Sequence, residues 1–245
     1  MGGCPWVLNV GNKTSPNEDR YTWRHNNVLR VLCNAIIHKV QKCNADNHKN
    51  NIPGIQFVKE KASASTINTA KTHSKRKTFY GDLAGANDWT VFFELPELKA
   101  FSIKHFPQDI CQTKKQVDAF VISQSKKICL VGPELTVPIE ERIAFWNEKK
   151  TGKYEKMIAD HGSPGWKLKC IVAEVGCRGY IPPSFRKALQ HFGFTSKELQ
   201  TLIDECSLVS RRSSYYIWLN CFHQTFIPFQ MIQVDVDVYQ STAVV

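Results

Sequence analysis

The sequence has no run of about 18 consecutive apolar residues, the length that a membrane-spanning helix requires. Residues 1–10 do not combine a basic start with a sustained apolar stretch, so they do not predict a secretory signal. The nine cysteines are odd in number and include no CxxC pair, which argues against a zinc site and favours reduced, structural thiols. These absences predict a nuclear or cytoplasmic protein that is neither secreted nor held in a membrane.

Positive charge is the main feature that is present. The formal net charge is +10, and lysine and arginine recur along most of the 245 residues instead of gathering in one tail. Such a balance favours a polyanionic partner, with DNA or RNA as the first candidate. The alternative is a basic protein whose charges only solvate its surface. Nothing in the sequence indicates a small-molecule substrate.

Local composition divides the chain into four parts. Residues 1–20 are polar and rich in Gly, Asn and Pro, so we expect disorder there, followed by one domain at 21–220. Within this domain, helical spacing of apolar residues predicts a helix from 21 to about 42. Residues 43–85 are predicted to be a basic loop insertion, with a short strand at 55–58. Residues 221–245 are predicted to be an appended tail.

The remaining pattern predicts strands and helices in a mixed order. Strands are expected at 88–95, 117–122, 128–131, 134–137 and 166–175, with a turn at 123–127 and an interruption at Gly132-Pro133. Helices are expected at 138–160, 182–192 and 195–219, the last with a Thr195–Glu198 capping box. This order predicts an α/β fold with a small mixed sheet flanked by helices.

Two carboxylates are candidates for metal chemistry. Asp118 opens one predicted strand and Glu134 follows the next, so a tight hairpin would bring them side by side. Such a pair, with a backbone carbonyl and water, suits Mg²⁺ or Mn²⁺, and a nearby lysine would assist the attacking water. Restriction-type nucleases carry that lysine two residues after the second acid, where this chain has Thr136. A displaced cation could come from the following helix, although this spacing also occurs by chance.

Several strings together resemble one family over about residues 20–220. They are RYTWRHNNVL at 20–29, ELTVP at 134–138, EKKTGKY at 148–154, AEVGCRGY at 173–180 and SYYIWL at 214–219. In this order they resemble the restriction-like endonuclease region, of the PD-(D/E)XK type, at the C-terminal end of non-LTR retrotransposon polyproteins. The resemblance implies a restriction-endonuclease-like fold and Mg²⁺-dependent cleavage of DNA.

The resemblance also implies roles for particular residues. The metal carboxylates correspond to Asp118 and Glu134, and the displaced catalytic lysine to Lys150 or Lys153. The candidate DNA contacts are Arg20, Arg24, His25, Lys149, Tyr154 and Arg178. For the helix residues among them the alternative is a solvated or capped surface position, and for Arg178 it is a structural turn.

The sequence departs from the family pattern at positions that bear on activity. The family's Arg-Pro-Asp is Gln116-Val117-Asp118 here, Asn26 stands where an acid is usual, and Gly132-Pro133 interrupts the strand before Glu134. Three hypotheses follow. The chain is an endonuclease that nicks target DNA to prime reverse transcription, a catalytically inactive DNA-binding remnant of the same fold, or an orphan or truncated copy without a selected role.

Overall fold

The computed structural model describes residues 18–50, 80–98, 106–221, 226–229 and 231–234. These residues form a mixed α/β fold around one four-stranded sheet, whose strands follow one another in chain order. The strands are β1 (Trp89–Phe93), β2 (Ala119–Ser123), β3 (Ile128–Thr136) and β4 (Lys167–Glu174). β1, β2 and β3 pair antiparallel, whereas β4 is parallel to β3. The predicted mixed sheet with flanking helices is therefore confirmed.

Four α-helices surround the sheet in the described parts of the chain. They are α1 (Glu18–Asn50), α2 (Ile143–His161), α3 (Pro183–His191) and α4 (Ser196–Leu219). Short 3₁₀ turns occur at Gly81–Gly85, Pro96–Leu98 and Glu140–Arg142. The predicted Thr195–Glu198 capping box is present at the start of α4. Among the described residues, no helix has both the length and the apolar character needed to cross a membrane.

Both faces of the sheet are covered, because alternate residues of each strand enter different cores. On one face, residues such as Val91, Val121 and Leu130 pack with α1, α3 and α4. On the other face, residues such as Phe120 and Cys129 pack with α2 and with the segment that includes Phe106. This two-sided burial explains why β1 and β2 read as almost continuous apolar runs.

A β-bulge in the middle of β3 changes which residues face which core. Val131 pairs with Cys170 and Glu134 with Val172, so β3 uses one residue more than β4 over this interval. An extra residue reverses the alternation of side chains downstream of it. Leu135 consequently enters the core beneath α1, and Glu134 faces α2. Without the bulge, this carboxylate would point into an apolar core.

Gly132 makes the bulge possible. Its φ is +132°, and a Cβ atom at this position would lie 2.2 Å from the carbonyl oxygen of Ile171. Only glycine tolerates this conformation and this close approach. The predicted interruption at Gly132-Pro133 was therefore wrong as a strand break, because β3 continues through it to Thr136.

Helix α1 is longer than predicted at both ends. It includes residues 18–20, which were expected to be disordered, and residues 43–50, which were assigned to the basic loop. The extension is held by Asn44, whose side-chain amide exchanges hydrogen bonds of 2.9 and 3.0 Å with the backbone of Trp89. At the other end of the predicted loop, Tyr80 and Leu83 are buried in the core. The predicted strand at 55–58 and most of the loop lie outside the described residues.

Two further boundaries differ from the sequence analysis. The helix predicted to begin at Pro138 begins instead as a 3₁₀ turn at Glu140 and becomes α-helical at Ile143. The described residues of the expected appended tail pack against the domain. The indole N–H of Trp23 donates to the carbonyl of Phe229 at 2.7 Å, and Val234 is buried in the core beneath α1. Val234 therefore contributes to the same hydrophobic core, and Phe229 is held to α1 by a hydrogen bond.

Candidate functional site

The two predicted carboxylates lie side by side at the end of the β2–β3 hairpin that is opposite its turn. Asp118 immediately precedes β2, and its backbone N–H donates to Glu134 Oε1 at 2.9 Å. In return, the backbone N–H of Leu135 donates to Asp118 Oδ2 at 2.9 Å. Each carboxylate thus accepts a hydrogen bond from the backbone of the strand segment that carries the other carboxylate. The hairpin and the bulge together therefore fix both side chains.

Lys150 of α2 places its ammonium group among three oxygen atoms. Its Nζ lies 2.9 Å from Asp118 Oδ2, 2.6 Å from the carbonyl oxygen of Leu135 and 3.6 Å from Glu134 Oε2. Two carboxylates and a carbonyl directed at one positive group form an environment that favours a cation. Among the three candidate lysines, Lys150 is thus the one that contacts both acids.

His25 of α1 also contacts the carboxylate of Asp118. Its Nε2 lies 3.4 Å from Asp118 Oδ2, and its Nδ1 lies 3.1 Å from the side-chain oxygen of Asn26. Burial lowers the pKa of His25, but the charge of Asp118 and the hydrogen bond to it outweigh burial and raise the pKa above its ordinary value. Asn26 therefore helps to hold an imidazole ring suited to carrying positive charge.

The two acids have opposite electrostatic environments. Burial raises the pKa of Asp118, yet the charges of His25 and Lys150 outweigh it and hold the pKa well below its ordinary value. Burial and the charge of Asp118 raise the pKa of Glu134 to about 7, and Lys150 opposes this only in part. Glu134 is fully buried, and its Oε2 accepts no hydrogen bond from the described residues. A second positive charge at this oxygen would stabilise the ionised form.

Lys150 remains charged in this environment, whereas Lys153 lies apart from the acids. Burial lowers the pKa of Lys150, but Asp118 and Glu134 reverse this effect and raise it. Lys153 is exposed, with its Nζ 3.3 Å from the hydroxyl of Tyr154, and burial lowers its pKa. Tyr154 is buried beside Glu134, where burial and the carboxylate charge raise the pKa of its phenol.

Arg20 and Arg24, two of the predicted DNA contacts, are buried on α1. The guanidinium of Arg24 donates to the carbonyl of Val137 at 2.9 Å and to the hydroxyl of Ser214 at 3.1 Å. Arg20 donates to the carbonyl of Cys221 at 3.5 Å. Both side chains tie α1 to other elements, and a role in DNA binding stays a prediction.

Lys149 and Arg178 are exposed. Lys149 places its ammonium 4.9 Å from the ring centroid of Trp146. Arg178 forms ion pairs with Glu140 at 2.6 Å and Glu141 at 2.7 Å, and these hydrogen bonds raise the pKa of its guanidinium. A phosphate would therefore compete with two carboxylates for Arg178. Lys149 forms no ion pair with a described residue, so a phosphate would meet no such competition there.

Sequence reasoning missed Glu174 at the end of β4. It is fully buried and accepts hydrogen bonds from the side chains of Asn147 and Ser184. Glu174 pairs with Thr136 in the parallel register, on the sheet face that also carries Glu134. Glu134 and Glu174 are seen to share a sheet face only when the bulge in β3 is taken into account, because the bulge changes which side chains of β3 lie on that face. The sequence pattern alone does not show the bulge.

The described residues contain no cluster of three or more His, Cys, Asp or Glu side chains arranged to hold a metal ion. The donor set that fits a hard cation consists of Asp118 Oδ2, Glu134 Oε2 and the carbonyl of Leu135, the same oxygens that surround Lys150. Oxygen ligands of this kind suit Mg²⁺ or Mn²⁺ better than zinc.

Comparison of the chain with protein-family models, curated proteins and solved structures found no match.

Proposed function

We propose that this chain is a metal-dependent DNA endonuclease domain of retrotransposon origin, with a restriction-endonuclease-like fold, which nicks target DNA so that the free 3′ end primes reverse transcription. The observation that carries the proposal is the convergence of Asp118, Glu134 and the Leu135 carbonyl on one cationic group, the ammonium of Lys150. Further support comes from the net charge of +10, which suits a nucleic-acid substrate.

The residues that would hold Mg²⁺ are Asp118 and Glu134, assisted by the carbonyl oxygen of Leu135. When bound, the metal polarises the scissile phosphate and lowers the pKa of the attacking water. The depressed pKa of Asp118 keeps one ligand ionised at all physiological pH values. The buried Glu134 carboxylate, whose Oε2 accepts no hydrogen bond from the described residues, supplies a second negative oxygen.

Two cationic side chains would act on the phosphate. Lys150 stays protonated because both acids raise its pKa, so it serves as a hydrogen-bond donor and a positive charge, and it does not serve as a base. With the metal on the carboxylate and carbonyl oxygens, the Lys150 ammonium would move away from them and stabilise the negative charge that accumulates on the phosphate oxygens during hydrolysis. His25 adds a second donor beside Asp118. Lys149 and Lys153, both exposed on the same helix, would attract the DNA backbone.

Nicking of supercoiled plasmid tests the proposal. We expect the full chain to convert supercoiled DNA to open circles in Mg²⁺ or Mn²⁺, and we expect a chelator to abolish the reaction. Asp118→Asn and Glu134→Gln keep the shape of each side chain and should each lower the rate by about 100-fold or more. Metal-independent nicking, or full activity in both variants, would contradict the proposal.

A second candidate is a catalytically inactive DNA-binding remnant of the same fold. It is favoured by Lys150, whose ammonium already pairs with Asp118 and lies 3.6 Å from Glu134, and by Thr136 at the position of the usual catalytic lysine. This candidate predicts DNA binding without nicking. Electrophoretic mobility shifts should then weaken steeply as salt concentration rises, whereas affinity that does not change with salt would argue against any nucleic-acid role.

A further inference from the structure

A cavity of about 300 Å³ adjoins the two acids. Residues of α1, of the end of β3 and of α2 line it, among them Tyr21, Arg24, His25, Thr136, Trp146 and Lys150. His25 and Lys150 also contact Asp118, so the cavity opens directly beside the proposed site of phosphate cleavage. Its volume lies at the lower end of the roughly 300–1,000 Å³ range of small-molecule pockets.

Three of the residues that line the cavity carry a buried polar atom that has no hydrogen-bond partner among the described residues. They are Arg24 Nε, Thr136 Oγ1 and Trp146 Nε1. Two of these atoms are donors and the hydroxyl can donate or accept. Buried polar groups are normally satisfied, so a ligand that offers hydrogen-bond acceptors would match the three atoms at this cavity.

The other properties of the lining narrow the chemistry of that ligand. Tyr21 and Trp146 provide aromatic surface, and Lys150 provides positive charge next to Asp118. Nucleobases stack on aromatic rings and offer carbonyl and ring-nitrogen acceptors, and their phosphates require cations. A nucleotide matches this combination, because its base would stack on the aromatic surface and its phosphate would lie near the lysine.

We propose that this cavity binds one unpaired nucleotide next to the scissile phosphate, so that the protein selects DNA with an unpaired or extruded base over continuous duplex. The inference rests on the proposed function in that it takes DNA as the partner. A base held within a duplex is covered by its neighbours and its pairing partner, and it must leave the stack to enter a pocket. A base that is already unpaired avoids this cost.

The experiment compares two duplexes that differ only in one 2-aminopurine, which is paired in one duplex and bulged in the other. We expect the wild-type chain to bind the bulged duplex about tenfold more tightly and to quench its fluorescence through stacking. Trp146→Leu should remove most of this preference, because it should lower affinity for the bulged duplex much more than affinity for the paired duplex. Trp218→Leu, at a half-exposed tryptophan on α4 outside the cavity, is the matched control and should retain the preference.

Thr136→Val provides a second readout that a failure to fold cannot mimic. Removing a buried hydroxyl that lacks a partner should raise the melting temperature of the free protein. The same change should weaken binding of the bulged duplex, because the base then loses a hydrogen-bond partner. Equal affinity of the wild type for the two duplexes, or a parallel loss of both in Trp146→Leu, would overturn the inference.

The two proposals fail in distinguishable ways. Asp118→Asn should lose nicking and keep the preference for the bulged duplex. A wild-type protein that shows the preference without nicking supports the cavity and argues against the endonuclease. Nicking without any preference supports the endonuclease and overturns the cavity.

Discussion

Lys150 forms ion pairs with both Asp118 and Glu134. Its replacement tests whether its ammonium group takes part in cleavage. We predict that Lys150→Met lowers the rate of plasmid nicking by about 100-fold, because a charge that stabilises the phosphate is lost. Lys156→Met, at an exposed position of the same helix, is the control and should change the rate less than about threefold.

Thermal melting of both lysine variants separates chemistry from folding. Removing Lys150 leaves two carboxylates without this partner, so a destabilisation of about 1–3 kcal/mol is expected beside the loss of rate. A folded Lys150→Met protein that nicks DNA as fast as wild type would exclude Lys150 from catalysis.

Gly132 is the residue on which the orientation of Glu134 depends. Gly132→Ala should destabilise the protein by about 2–4 kcal/mol, since its Cβ would lie 2.2 Å from the Ile171 carbonyl and its φ is +132°. The matched control is Gly152→Ala in the interior of α2, where an added Cβ meets nothing within 4 Å. That substitution should stabilise the protein by about 0.5–1 kcal/mol. Urea denaturation measures both, and equal effects of the two variants would contradict the bulge geometry.

Residue identities predicted the members of the site better than they predicted its geometry. Asp118, Glu134 and Lys150 were all named from the sequence and lie together. The sequence also indicates Lys153 as an alternative to Lys150 and Arg24 as a DNA contact, but Lys153 lies beside Tyr154 and Arg24 is buried against Val137 and Ser214. Spacing on a helix cannot decide which of several neighbouring cations reaches an acid on another element.

Among the elements, the β2–β3 hairpin positions Asp118 and Glu134, and Asp88 anchors its turn. The Asp88 carboxylate accepts hydrogen bonds from the Ser123 hydroxyl at 2.6 Å and from the Ser125 backbone and hydroxyl at 2.8 Å each. Partial burial raises the pKa of Asp88, but these hydrogen bonds outweigh it and leave the pKa below its ordinary value.

A carboxyl group with a lowered pKa stabilises the fold above its ordinary pKa, and this contribution is lost as pH falls through the lowered value. Asp88→Ala should therefore cost about 1–2 kcal/mol near neutral pH and progressively less below about pH 4. The exposed Asp109→Ala is the control for replacing a surface aspartate. Chemical denaturation across this range checks the sign, and a difference for Asp88→Ala that grows in acid would contradict it.

Strands and helices followed from apolar spacing wherever a run was long and bounded by turn residues. Two of the failures share one cause, which is contact between distant parts of the chain. Helix α1 continues through residues 43–50 because Asn44 bonds to the backbone of Trp89, and β3 continues through Gly132 because β4 accommodates a bulge. Neither contact can be predicted from the local propensities of the residues involved.

For the molecule as a whole, the described tail residues belong to the domain and are not an appendage. Val234 is 5% exposed and lies in the core beneath α1, whereas Gln233 is exposed. Val234→Asp should destabilise the protein by about 3 kcal/mol or more, because it buries a charge without a partner. Gln233→Asp is its neighbour and should change stability by less than about 0.5 kcal/mol. Similar melting temperatures for the two variants would show that the tail does not stabilise the fold.

The proposal that Asp118 and Glu134 share one cation is tested most directly by titrating Mn²⁺ into the full chain and following the free ion by electron paramagnetic resonance. We predict one site in the wild type, weakened at least about tenfold in both Asp118→Asn and Glu134→Gln, with the fold verified by circular dichroism. Binding that is unchanged in either variant, or no binding to a folded wild type, would contradict a shared cation site at the end of the hairpin.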